Sequence, residues 1–214
     1  EVLIPEPFYE NYGADGILTG AVPVFVPMGK DFSLDVNALR KAVTEKTRAV
    51  VINTPHNPTG RVFSPHEMQE LCEFVIEKNL LLFTDEIYEE ILFTGPHQCP
   101  LLVDGMAERT LVVSGASKTF SVTGWRIGWV ISPPSLTAGV RKVHDFLTVG
   151  AAAPLQEAIA EALLWEDKFF DQIRADYLPR RDLLVTALKK AGFACETPEG
   201  AYYIMTDVSQ LQRP

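Results

Sequence analysis

The sequence contains little cysteine and no excess of positive charge. Its 214 residues include three cysteines, Cys72, Cys99 and Cys195, and none of them forms a CxxC pair. Neither a disulfide framework nor a zinc site is therefore indicated, and we expect reduced thiols in a cytoplasmic protein. Acidic residues outnumber basic ones by 28 to 19, for a net charge of −9. This balance argues against nucleic acid or an anionic membrane surface as a partner.

Long apolar runs are also missing. No stretch approaches the ~18 consecutive apolar residues of a membrane-spanning helix, and the first residues lack the positive charge that opens a signal peptide. We therefore expect no membrane partner. The composition, 47% apolar and 22% charged, is typical of a globular protein with a substantial buried core.

Short apolar runs alternate with helical patterns through the first two thirds of the chain. Strands that are apolar on both faces and separated by helices indicate a mixed, mostly parallel sheet flanked by helices, an α/β fold. Helices are predicted over residues 9–18 and over residues 35–43, with Asp35 as the cap of the second. The predicted strands are residues 2–5, 23–28, 49–53, 80–84, 110–114 and 127–132.

The clearest helix start is Ser64-Pro65-His66-Glu67, in which Ser, Pro and Glu occupy the positions of a capping box with proline at the first helical position. We expect this helix to end near Asn79. Its predicted inward face consists of Met68, Leu71, Cys72, Val75 and Ile76.

The pattern becomes mostly helical after Pro133. A long helix is predicted over residues 167–192, with Pro179 kinking or dividing it, and a new strand over residues 201–208. The late strand predicts a second domain. We therefore expect a partial large domain over residues 1–178 and the start of a smaller α+β domain over residues 179–214.

Polar side chains follow three consecutive predicted strands. The first is followed by Asn57-Pro58-Thr59-Gly60, the second by Asp85-Glu86-Ile87-Tyr88, and the third by Ser117-Lys118 with Arg126 eight residues later. Taken singly, each has an ordinary explanation: a turn, a helix cap, a surface cation. Their joint occurrence favours a binding site, because ligands of parallel α/β sheets collect at the carboxyl ends of the strands.

Pyridoxal phosphate is the cofactor whose chemistry needs this set of groups. It requires a lysine amine, a carboxylate beside its ring nitrogen, donors to its phenolate oxygen, and a cation with hydroxyls for its phosphate. The carboxylate keeps the ring nitrogen protonated. Hydrogen bonds to the phenolate oxygen stabilise its charge and lower the pKa of the imine nitrogen.

On these motifs, together with Ser117-Lys118-Thr119-Phe120 and Gly124-Trp125-Arg126-Ile127-Gly128, the whole sequence resembles the class I/II aminotransferases. The resemblance implies the large domain of fold type I, pyridoxal 5′-phosphate as cofactor, and amino transfer between an L-amino acid and a 2-oxo acid. It also implies a homodimer and a cis peptide bond at Asn57-Pro58.

The resemblance further implies a role for each candidate site residue. Lys118 would form the internal aldimine and later act as base, with a pKa near neutrality. Asp85 would pair with the ring nitrogen, and Asn57 and Tyr88 would bond the phenolate oxygen. The remaining candidates are Arg126 and Ser117 for the phosphate and Tyr9 for stacking on the ring.

The sequence departs from the family at Gly115, where many members have serine, and Ser114 is a candidate to replace that hydroxyl. By the same resemblance, the family's glycine-containing phosphate loop would precede residue 1, and its arginine for the substrate carboxylate would follow Pro214. We therefore expect a central section of the family's chain that binds cofactor weakly by itself.

Three alternative functions share parts of this pattern. A C–S lyase would share these motifs, and a truncated, non-catalytic chain would keep them without turnover. A P-loop ATPase is rejected, because GxxxxGK[ST] needs glycine at positions occupied by Val112 and Ser117.

Overall fold

The computed structural model describes residues 1–209 and 211 of the chain. Its main sheet has six strands: β1 (Val2–Glu6), β2 (Pro23–Pro27), β3 (Ala49–Asn53), β4 (Leu81–Asp85), β5 (Thr110–Gly115) and β6 (Gly128–Ile131). Their order in the sheet is β2-β1-β3-β4-β5-β6; neighbours among the first five run parallel, and β6 is antiparallel to β5. The predicted mixed, mostly parallel sheet is confirmed.

Helices flank this sheet, and a separate two-stranded antiparallel pair follows the last of them. None of the helices in the described part of the chain combines the length and apolar character that a membrane crossing requires. The helices are α1 (Asn11–Leu18), α2 (Val36–Ala42), α3 (Pro65–Glu77), α4 (Ala116–Thr119), α5 (Pro134–Leu147), α6 (Ala153–Ala162) and α7 (Asp167–Lys190), and the pair is β7 (Ala194–Cys195) with β8 (Thr206–Asp207).

Both predicted helix caps are confirmed. The Asp35 carboxylate accepts a 2.8 Å hydrogen bond from the Ala38 amide at the start of α2. At the start of α3, Ser64 and Glu67 form the reciprocal capping box, and Asn79 follows the helix in a left-handed conformation. Because each cap satisfies an amide that has no partner within the helix, these residues fix where the helices begin.

The largest part of the core lies between the sheet and helices α2 and α3. The predicted inward residues of α3 are buried except Ile76, which is 38% exposed, whereas Phe74 is fully buried in its place. Met68, Leu71, Cys72 and Val75 follow the three- and four-residue spacing of one helix face, and Ile76 lies at its margin. The core cluster consists of Leu3, Val26, Leu34, Val36, Leu39, Val50, Ile52, Phe63, Met68, Leu71, Cys72, Phe74, Val75, Leu80, Leu82 and Met106.

One prediction for the C-terminal third needs correction. The predicted long helix is confirmed as α7, which continues through Pro179 and is not divided there. The strand predicted over residues 201–208 is reduced to β8. Ala201 adopts a left-handed backbone (φ 55°), and its amide donates to the Ile91 carbonyl, so this part of the chain is bonded to the loop after β4 instead of to a sheet.

Glu67 provides the first testable prediction. Its buried carboxylate accepts hydrogen bonds from the Ser64 amide at 2.8 Å, the Ser64 hydroxyl at 2.6 Å and the Leu34 amide at 2.9 Å. Glu67→Ala leaves buried donors without partners, so we expect the free energy of unfolding to fall by about 3 kcal/mol in urea titrations. Glu70→Ala, an exposed position of α3, is the matched control and should change it by no more than about 0.5 kcal/mol. Equal losses in both variants would contradict this account.

Candidate functional site

A cleft of about 270 Å³ opens at the carboxyl ends of β3, β4 and β5. In a parallel sheet these ends lie at the same edge, which brings together residues that are far apart in sequence. All seven predicted site residues line this one cleft, together with six others. The lining residues are Tyr9, Tyr12, Asn53, Asn57, Asp85, Ile87, Tyr88, Val113, Ser117, Lys118, Thr123, Arg126 and Tyr203.

Asp85 is the last residue of β4, and its carboxylate lines the cleft. Its Oδ2 accepts a 2.7 Å hydrogen bond from the Tyr12 hydroxyl, and its Oδ1 accepts from the Ile87 amide at 3.1 Å. Burial raises the pKa of Asp85 above its usual value, although these two hydrogen bonds stabilise the charged form and oppose the rise. Tyr12 keeps its proton, because burial and the neighbouring carboxylate raise its pKa.

Asn53 and Asn57 connect the loop after β3 to the backbone of Asp85. The Asn53 side-chain amide donates to the Asp85 carbonyl at 2.7 Å, and its Oδ1 accepts from the Asn57 amide at 2.6 Å. The predicted cis peptide bond at Asn57-Pro58 is confirmed. Within this loop, the His56 ring forms a 2.8 Å hydrogen bond with the Thr59 hydroxyl. Burial lowers the pKa of His56 to about 4, so the ring is neutral and its hydrogen bond stabilises the loop.

Lys118 lies in α4, directly after β5, where the close approach of β5 to β6 fixes the backbone. Gly115 pairs with Gly128 across the two strands, and a Cβ atom at Gly115 would lie 2.9 Å from the Ile127 carbonyl oxygen. In this chain a side chain at position 115 would therefore lie too close to the residues that lead into β6. Ser114 does not replace that hydroxyl, because it does not line the cleft and donates instead to Glu89 at 2.6 Å.

Ser117 in α4 and Arg126 in the turn that leads into β6 both line the cleft. Arg126 has a left-handed backbone (φ 55°), and its Nη1 donates to the Thr123 carbonyl at 3.1 Å. The Thr123 hydroxyl donates in turn to the Ser117 carbonyl at 3.0 Å. A guanidinium and a hydroxyl that line the same cleft form a suitable partner for an anionic oxygen group.

Aromatic side chains surround the Lys118 amine. Its Nζ lies 5.9 Å from the ring centroid of Tyr88 and 5.7 Å from that of Tyr202, distances typical of cation–π contacts. Burial alone would lower the pKa of Lys118, but the neighbouring hydroxyl of Tyr202 raises it above its usual value. The near-neutral pKa expected of Lys118 concerns the amine released during turnover, and it stays a prediction.

Four polar residues of the cleft are absent from the sequence-based set: Tyr12, Asn53, Thr123 and Tyr203. Tyr12 could have been predicted to lie in the cleft, because it is three residues after Tyr9 and therefore on the same side of one helical turn. Asn53 could also have been predicted there, since it ends a predicted strand. Nothing in the local sequence places Tyr203 there, because it is 115 residues from Tyr88, the residue whose hydroxyl it contacts.

Comparison with known proteins links this geometry to one family. A model described as "Aminotransferase class I and II" matches residues 1–213. The probable N-succinyldiaminopimelate aminotransferase DapC of Mycobacterium tuberculosis is 44% identical, over 99% of this chain and 54% of that protein. Kynurenine–oxoglutarate transaminase 3 of Mus musculus is 35% identical, over 99% and 50%.

Solved structures agree with the sequence relatives. A double mutant of aspartate aminotransferase from Thermus thermophilus superposes with a TM-score of 0.94 at 34% identity, covering 99% of this chain and 56% of that one. N-succinyldiaminopimelate aminotransferase from Mycobacterium tuberculosis gives 0.91 at 44% identity, covering 94% and 53%. The chain thus spans about half the length of the curated relatives it matches.

The Tyr12–Asp85 contact gives a prediction that needs no ligand. Tyr12→Phe removes a hydrogen bond to the charged carboxylate, so we expect the pKa of Asp85 to rise further, by about 1 unit. Carbon-13 NMR titration of the carboxyl groups measures this directly. The folded-state pKa of Asp85 exceeds its unfolded value. The contribution of Asp85 to stability therefore falls as pH rises from the unfolded-state pKa to the folded-state pKa, and the variant should extend this fall to higher pH.

The matched control is Tyr9→Phe, which removes a hydroxyl from the same cleft. Tyr9 packs edge-on against Tyr12 with ring centroids 5.6 Å apart, and the hydrogen bond from Tyr12 to Asp85 remains in this variant. A pKa of Asp85 that is unchanged or lower in Tyr12→Phe would show that the hydroxyl does not stabilise the carboxylate.

Proposed function

The chain belongs to the class I and II aminotransferase family, and we propose that its cleft binds pyridoxal 5′-phosphate and transfers an amino group between an L-amino acid and a 2-oxo acid. One observation supports this proposal above the others. An amine, a carboxylate, a phenol, an amide, a hydroxyl and a guanidinium converge in one cleft, and these are the groups that this cofactor requires.

The residues present fit the cofactor part by part. Asp85 would accept a hydrogen bond from the protonated ring nitrogen, and Tyr9 would stack on the ring. Asn57 and Tyr88 would donate to the phenolate oxygen. Arg126 and Ser117 would hold the phosphate, for which a guanidinium and a hydroxyl are well suited.

When bound, pyridoxal phosphate would supply an aldehyde for an amine to attack and a ring that withdraws electrons. Lys118 would provide the amine that anchors the cofactor and, once released by the substrate, would move the substrate α-proton as general base and acid. Asp85 must be ionised for its part, and the hydrogen bonds from Tyr12 and Ile87 favour that form.

The raised pKa of Lys118 adds a requirement to this mechanism. A protonated amine is not nucleophilic, so Lys118 must lose its proton before it attacks the cofactor. A change in the contact with Tyr202, whose hydroxyl raises this pKa, would favour the neutral amine. We therefore expect cofactor uptake to accelerate as pH rises toward the pKa of Lys118.

The wider context completes the proposal. Residues 1–178 would form most of a cofactor-binding domain, and residues 179–214 would begin a smaller one, in keeping with the separate β7–β8 pair. We assign the activity to cytoplasmic amino-acid metabolism, including biosynthesis. The named relatives make N-succinyldiaminopimelate and kynurenine reasonable first substrates to test.

Lys118→Ala tests the cofactor assignment. We expect borohydride to fix one cofactor per chain in the wild-type protein and none at this site in the variant, as read by mass spectrometry of the labelled peptide. Lys142→Ala, at an exposed position of α5, should label like the wild type. Full labelling of Lys118→Ala would show that Lys118 is not the residue that binds the cofactor covalently.

The products of the same preparations distinguish amino transfer from lyase chemistry. Amino transfer should yield a new amino acid and a new 2-oxo acid in equal amounts, whereas a C–S lyase would release ammonia and pyruvate from a sulfur-containing donor. We expect the first result in the wild type and a loss of at least about 1,000-fold in Lys118→Ala, because both anchoring and proton transfer are removed. Ammonia as the main product would contradict the proposed activity.

We also propose that the enzyme is a homodimer. Phe146, Leu147 and Val149 at the end of α5 are 93%, 76% and 86% exposed, an apolar patch suited to burial against a second copy. Sedimentation equilibrium should give twice the chain mass, and Phe146→Asp should shift the protein toward monomer. A wild-type protein that stays monomeric at micromolar concentration would contradict this assignment.

A further inference from the structure

We propose that Tyr203 is a positioning residue for Tyr88: its hydroxyl donates to the Tyr88 oxygen and thereby directs the single Tyr88 proton toward the cofactor. This inference rests on the proposed function, in which Tyr88 donates to the phenolate oxygen of pyridoxal phosphate. It adds a residue from the far end of the chain to the hydrogen-bond network of the cleft.

The contact itself is short and specific. The two hydroxyl oxygens lie 2.7 Å apart, and the rings meet edge-on with centroids 5.7 Å apart at 87°. Burial raises the pKa of both phenols, so both keep their proton at neutral pH. The pair therefore holds two protons, one on each oxygen.

Proton counting determines the direction of the bond in the loaded site. A phenol has one proton to donate, and if Tyr88 donates it to the cofactor, Tyr88 has none left for Tyr203. The 2.7 Å contact must then be a hydrogen bond from Tyr203 to Tyr88. Such a chain of donors polarises its middle member, which makes Tyr88 a stronger donor than an isolated phenol.

Backbone contacts hold Tyr203 at this distance. The amides of Glu199 and Gly200 both donate to the Gly60 carbonyl, at 2.8 and 2.9 Å, and Arg61 pairs with the Glu199 carboxylate at 2.6 Å. A Cβ atom at Gly60 would lie 2.5 Å from the Pro198 side chain and 2.9 Å from the Tyr203 carbonyl oxygen. The glycine is needed for this close approach and for its positive φ of 72°.

The contact of Gly60 with residues 198–203, called the junction below, also involves the loop that carries Asn57, the other predicted donor to the phenolate oxygen. Asn57 lies in the loop that ends at Gly60, whose amide donates to the His56 carbonyl at 2.8 Å. The loop after β3 therefore presents Asn57 directly and places Tyr88 indirectly, through the segment that carries Tyr203. A change in this junction should alter both donors together.

The test is the pH midpoint of the visible absorption of the bound cofactor, which reports the pKa of the nitrogen that joins it to Lys118. A strong donor at the phenolate oxygen lowers this pKa, so removal of the Tyr203 hydroxyl should raise it. We expect Tyr203→Phe to shift the midpoint upward by about 0.5 pH unit. Tyr177→Phe is the matched control, because Tyr177 stacks on Tyr202 in the same aromatic group but does not line the cleft.

A double-variant comparison separates positioning from general packing. In a Tyr88→Phe background the shift caused by Tyr203→Phe should disappear, because its path runs through the Tyr88 hydroxyl. An unchanged midpoint in Tyr203→Phe, or a shift that persists without the Tyr88 hydroxyl, would overturn the inference while leaving the cofactor assignment intact. A wild-type protein that takes up no pyridoxal phosphate would overturn both.

Discussion

The cleft depends on how one buried carboxylate, Asp85, is held. Asp85 ends β4, and separate parts of the chain bond to it: α1 through the Tyr12 hydroxyl, and the end of β3 through the Asn53 amide. Burial disfavours the charge, and the surrounding donors favour it. These contacts fix α1 and the ends of β3 and β4 relative to one another, so the remaining groups of the cleft have defined positions.

The other constraint is the return of the chain after α7. Residues around Glu199 and Gly200 dock on the Gly60 carbonyl and on the turn after β4, which brings Tyr202 and Tyr203 over Lys118 and Tyr88. The cleft is therefore closed by residues from both ends of the sequence. This arrangement places phenol rings beside the amine of Lys118 and explains why its pKa is raised despite burial.

Much of this organisation could be predicted because local patterns and the tertiary fold agree. Strand ends, capping residues and the three motifs identified the sheet, its edge and all seven predicted residues of the cleft. The failures share a physical cause. Ala201, Ser114 and Tyr203 are placed by contacts with distant segments: the Ile91 carbonyl, the Glu89 carboxylate and the Tyr88 hydroxyl. No local propensity or periodicity encodes such contacts, and a strand prediction for the segment after Gly200 had only local composition to rely on.

We propose that this cleft holds pyridoxal phosphate with its ring nitrogen on Asp85 and its aldehyde carbon on Lys118. A crystal structure of the protein grown with pyridoxal phosphate would reveal both contacts. We expect continuous density from Lys118 Nζ to the cofactor, with the ring nitrogen about 2.8 Å from an Asp85 oxygen. A cofactor bound elsewhere, or a ring whose nitrogen faces away from Asp85, would contradict it.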